Sequence, residues 1–148
     1  MTDTNNFRQL TDSDFRALAD EMLAKLVTVG AVAEYNRDLV AWLYGYIERL
    51  RDLWREEQFD QVANNLGAVL GECLRAVYGG TWSFHEQAEA WGVYVGSGLG
   101  TVFPSAKVYK QLRNGPEDSV LSLFDVVGSI IAAGGIDKFR SMQKNTEG

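Results

Sequence analysis

The chain has 148 residues, 46% of them hydrophobic and 23% charged, with only two prolines. That is one globular domain's worth of chain, with enough apolar side chains for a single core. Its net charge of −6 works against nucleic acid and against an anionic membrane surface, both of which reward a basic face.

Residues 1–10 are polar and read as a loose N-terminus. Thr11-Asp12-Ser13-Asp14 then supplies side-chain oxygens for the free amides of a helix start. Phe15, Leu18, Ala19, Met22 and Leu26 recur at helical spacing and predict a first helix over 12–27, closed by Gly30. A second helix starts between Ala31 and Tyr35 and carries a broad apolar stripe from Leu39 to Trp54. Gly45 inside it costs about 1 kcal/mol relative to alanine, which a close packing contact would offset. Glu56-Glu57-Gln58 links to a third helix, where Phe59, Val62, Leu66, Val69, Leu70, Cys73, Leu74 and Val77 form the clearest amphipathic pattern. Gly67 and Gly71, one turn apart, predict the close approach of another element.

Gly79-Gly80 ends that helix and opens the sheet. Strands are predicted at 81–84, 91–95 and 101–103, the last stopped by Pro104, which has no amide to give a ladder. A sheet this small needs a helix across one face, and the third helix is the natural cover. Ser105 is read as the cap of a short helix over 106–113. The last helix is placed from Pro116, with Glu117 and Asp118 in its first turn, to Gly134-Gly135. From 137 the chain reads as a short helical or frayed tail. The fold class is α+β: a single domain with three N-terminal helices, a small three-stranded antiparallel sheet and two C-terminal helices.

No catalytic or phosphate-binding constellation stands out, and no cofactor is called for. His85 is the only histidine; with Glu86 and Glu89 it makes a poor zinc site, lacking a fourth ligand. Cys73 is the only cysteine, so an internal disulfide is excluded and a reducing compartment fits. It lies on the apolar stripe, where a small buried thiol is expected. The glycines of residues 96–100 lack the Lys-Ser/Thr pair of a phosphate loop. Lys107, Lys110 and Arg113 are read as a solvated face. Trp82 and Trp91 are read as sheet packing rather than a ligand cage.

The acidic excess lies early: residues 1–60 carry 12 acidic and 7 basic side chains. Its densest run is Asp52, Glu56, Glu57 and Asp60, where a cationic partner could dock. Trp42, at the edge of its helix's stripe, is the candidate interface anchor. With no basic-then-apolar leader and no apolar stretch of about 20 residues, the expected location is the cytoplasm.

Leu70-Gly71-Glu72, Gly79-Gly80-Thr81-Trp82, Thr101-Val102-Phe103-Pro104, Lys107-Val108-Tyr109-Lys110 and Glu117-Asp118-Ser119-Val120 together resemble a bacterial domain family catalogued as a domain of unknown function. The resemblance covers residues 66–127 and implies the helix–sheet–helix order, not an activity. Two functions are carried forward. One is a non-catalytic, acidic, protein-binding module, for example an immunity protein inhibiting a cationic toxin. The other is a small-molecule-binding or enzymatic domain with a carboxylate-lined pocket between sheet and helices.

Overall fold

A computed structural model describes residues 10–96 and 98–147, with side chains through Gln143. The segment 1–9, expected to be loose, falls outside the described residues, as does Ser97 of the second turn. The described chain is α+β, with six helices and a three-stranded antiparallel sheet of order β1-β2-β3.

Helix α1 (Asp12–Val27) opens with a capping box, Thr11 and Asp14 each accepting from the other's backbone amide. Helix α2 (Arg37–Leu50) starts later than predicted, because the Asn36 side chain accepts from the Leu39 amide and sets the entry there. It also ends earlier, at Leu50. Gly45 has no close packing contact to offset its cost: a Cβ there would meet only the mobile end of Arg49, at 3.4 Å.

Helix α3 (Phe59–Tyr78) is the centre of the molecule, touching α1, α2, the sheet and the first two helices that follow the sheet. Its amphipathic reading is too modest, since every residue from Leu66 to Leu74 is buried. The two glycines explain how neighbours come so near. A Cβ at Gly67 would overlap the backbone of Ser105, and one at Gly71 would overlap the Trp82 indole.

Strands β1 (Thr81–His85), β2 (Ala90–Gly96) and β3 (Gly100–Val102) fall where predicted to within two residues. In register, Trp82 faces Val93 and Val93 faces Val102, and this buried cross-strand row is what the sheet turns toward the core.

Helix α4 (Pro104–Asn114) begins on the proline itself, whose missing amide suits a first helical position. Ser105 is therefore inside the helix, packed on Gly67, and does not cap it. Pro116 lies in a 3-10 turn, Gly115–Asp118, and helix α5 (Val120–Ala133) starts after it, with Ser119 accepting from the Ser122 amide. Beyond Ala133 the chain takes the helical one of the two expected forms. Gly134 and Gly135 take positive φ, Ile136 donates to the Gly98 carbonyl, and helix α6 (Ile136–Glu147) follows.

Polar staples fix the C-terminal helices. Gln111 is fully buried; its amide donates to Glu48 and to the Tyr44 carbonyl and accepts from the Val120 amide. Arg51 donates to the carbonyls of Gln111, Leu112 and Arg113, closing the end of α4. Arg37 grips Asp125 through two bonds of 2.9 and 2.8 Å, tying α2 to α5. Among the described residues no single helix is long and apolar enough to cross a membrane.

Candidate functional site: an aromatic cleft between sheet and helices

Where α1, α3, the β1–β2 hairpin and the start of α4 meet, they leave a cleft of about 360 Å³. Its walls are Phe15, Leu18, Trp82, Trp91 and Phe103, and its rim holds Asp14, Glu89, Asn64 and Ser105. The walls come from rules seen in the sequence. Phe15 and Leu18 are on the apolar stripe of α1, while Trp82 and Trp91 sit on neighbouring strands of the hairpin.

The rings are fixed by each other. Phe15 stacks on Trp82 with centroids 4.3 Å apart, and Trp91 tilts against Phe15 at 5.0 Å. Phe84 meets Trp91 edge-on at 5.7 Å. Among the described residues that line the cleft, the charged ones are Asp14 and Glu89, and none is a lysine or arginine. Asp14 is already engaged, accepting from the amide and the hydroxyl of Thr11 at 2.8 and 3.1 Å. A shallower groove of about 370 Å³ shares Asn64, Ser105 and Ala106 with the cleft and continues it to Asp60, Tyr109 and Lys110.

Behind Trp82 lies a polar hub that sequence reading missed. Glu72 is only 3% exposed. Its Oε2 accepts from the Trp82 indole N–H and from Arg75, both at 2.9 Å, while Oε1 faces Arg16 at 3.7 Å. Arg75 also reaches the Gly80 carbonyl and Asp12. A buried carboxylate is tolerated only with such partners. The hub thus locks the indole that forms part of the cleft wall. Nearby, Tyr35 donates to Asp20 at 2.6 Å; burial first, and that bond second, raise its phenol well above the usual range. The signal for the hub was a glutamate one turn from Val69 on a helix otherwise buried, followed by Arg75 and a tryptophan.

The residues singled out in the sequence are distributed differently. Trp42 is half-buried and stacked on Tyr46 at 4.8 Å, and Tyr46 in turn meets Trp54 at 5.9 Å. Asp52, Glu56 and Glu57 are exposed, but each is drawn to a different arginine: Arg51 at 3.9 Å, Arg113 at 3.0 Å and Arg55 at 3.7 Å. Asp60 alone of the set reaches the groove beside the cleft. The basic stripe of α4 is broken as well, Lys107 pairing with Asp118 and Arg113 with Glu56. Hydrogen bonds from Asn114 and then Lys107 hold Asp118 below the usual carboxylate range.

Cys73 is fully buried, and burial pushes its thiol up to about 12. His85 accepts from the Ala88 amide and packs edge-on against Phe103. Among the described residues no three His, Cys, Asp or Glu side chains gather as metal ligands. A search of protein-family models, curated proteins and solved structures gives no match to this chain.

Proposed function

We propose that this is a non-catalytic binding domain that seats an apolar or aromatic side chain of a cationic protein partner in the cleft between sheet and helices. One observation carries the reading: a concave pocket walled by mutually stacked aromatic rings, whose charged lining among the described residues is Asp14 and Glu89. Interface hot spots are buried anchors in such pockets, and the rim sets partner charge. The chain's net charge of −6 adds long-range steering of a cation. An immunity protein that neutralises a cationic toxin is the specific form we favour. For such a role the cytoplasm is the expected location.

The second reading uses the same cleft for a free small molecule, and its volume of about 360 Å³ is within the range of ligand pockets. Its lining is mainly apolar, with Asp14 and Glu89 as its two carboxylates, which favours an apolar ligand over acid–base chemistry.

The test blocks the cleft without disturbing the core. Ala106 is exposed on its edge, so Ala106→Trp fills the mouth from outside. Tagged wild-type, A106W and a variant charge-reversed at Asp52, Glu56, Glu57 and Asp60 are used for capture from the native host, with native mass spectrometry of each. The expected result is one stoichiometric protein partner, lost in A106W. A partner kept in A106W and lost in the charge-reversed protein moves the interface to the α2–α3 junction. A bound small molecule displaced by A106W establishes the second reading instead.

A further inference from the structure

Among the described residues Glu89 is the one non-glycine residue with positive φ, at +51°. It closes the four-residue loop between β1 and β2, where its amide donates to the Glu86 carbonyl at 3.2 Å and the chain then turns left-handed into Ala90. Glycine or asparagine is the usual occupant of such a position, because a Cβ there crowds the next carbonyl. A glutamate at that point carries a steric cost. The residue is exposed, and no described residue donates to its carboxylate. It lines the aromatic cleft, as do Trp91 and the Thr11-engaged Asp14. Backbone strain kept at a recognition surface is a reason to look for what the side chain contacts.

The geometry points to Glu89 as the specificity-determining residue of the cleft: it selects guests that carry a cationic group one short linker away from an aromatic or apolar body. In a protein partner that is an aromatic or aliphatic anchor with a lysine or arginine beside it. This rests on the cleft reading above and adds the charge of the guest. The walls supply affinity for the apolar body without regard to charge; Asp14 keeps its charge but is fixed by Thr11 through Oδ2, whereas the Glu89 carboxylate is held by no described residue and can turn to the guest.

Three probes with one aromatic body separate the two ideas: tryptamine (cation), tryptophol (neutral) and indole-3-acetate (anion), each titrated at pH 7 and followed by ¹H–¹⁵N NMR shifts. Tryptamine is expected to bind about three- to five-fold more tightly than tryptophol, the range of an exposed ion pair, with the anion weakest. Glu89→Gln should bring the three within about two-fold. Glu89→Gly should do the same while raising the melting temperature by about 2–4 °C, since it removes both the charge and the left-handed strain. Indoles that bind with no charge order, or with an order that survives E89Q, would overturn the role of Glu89 and leave the cleft standing. If no indole shifts the cleft resonances up to its solubility limit, the cleft reading and the inference fall together.

Discussion

Truncating Glu72 is the sharpest perturbation of the core, because this carboxylate joins α3 to the sheet. The side chain is 4% exposed and Arg75 is 24% exposed, so neither charge can turn fully to water. Glu72→Ala removes two hydrogen bonds of 2.9 Å, leaving the Trp82 N–H buried without an acceptor and Arg75 with only Asp12 and the Gly80 carbonyl. Breaking a buried pair from one side costs about 3–5 kcal/mol. The partial exposure of Arg75 places this case at the lower end, about 3 kcal/mol. Glu72→Gln keeps an oxygen for the indole and loses only the charge, so about 1–2 kcal/mol is expected. With a urea m-value of about 1.5–2 kcal/mol/M, Glu72→Ala lowers the unfolding midpoint by about 1.5–2 M. Far-UV circular dichroism through a urea titration reads this directly. A loss below about 1 kcal/mol for Glu72→Ala, or an equal loss for both variants, would refute the reasoning.

The glycines of the helices should respond in opposite senses. Gly45→Ala gains about 1 kcal/mol of helix propensity against a neighbour that can move, whereas Gly71→Ala loses about 1–3 kcal/mol by driving into the Trp82 indole; thermal melts of the two variants decide it. Cys73, buried and with its thiol raised to about 12, should not react with a disulfide reagent at pH 8 and should react at once in denaturant; rapid labelling of the native protein would contradict its place in the core. The Arg37 bond and charge hold Asp125 below the usual carboxylate range, so its contribution is present above about pH 4, its unfolded value, and is lost as pH falls through the lower folded value. Asp125→Asn should therefore flatten the acid side of the stability–pH profile and leave its neutral-to-alkaline shape unchanged; an acid limb identical to that of the wild type would exclude this pair as a source of the pH dependence.

The fold was largely legible because its elements obey local rules. The 3.6-residue period marked α1 and α3, the Gly67/Gly71 pair announced close neighbours, and glycine-bounded aromatic runs marked three strands. Errors arose where two local signals competed. Ser105 and Pro104 both suit a helix start, and the proline prevailed because Ser105 is needed against Gly67. Pro116 and Ser119 both suit the next one, and the capping hydroxyl at Ser119 prevailed. The tail became a helix because Gly134-Gly135 turns it back against the Gly98 carbonyl, a contact between residues far apart in sequence.

The cleft was hardly legible, for a related reason. Phe15 was read on a helical stripe, Trp82 and Trp91 as sheet packing and Phe103 as a strand end, and only their convergence from separate elements makes a cavity. Glu89 carried no signal, since a left-handed conformation is not visible in a residue type that rarely adopts it. The acidic run drew notice by its density in the sequence. In space, Asp52, Glu56 and Glu57 face separate arginines, and Asp60 alone extends the groove.

The central claim is that another protein's apolar side chain enters the cleft. Site-specific photo-crosslinking inside the native host tests it most directly, with a benzophenone amino acid placed singly at Ala106, on the cleft edge, or at Leu53, which is 75% exposed at the α2–α3 junction. The account predicts one discrete adduct from position 106, none from 53, and a crosslinked partner peptide with an apolar residue next to a lysine or arginine. An adduct from 53 with none from 106 would contradict it and return the interface to the acidic run.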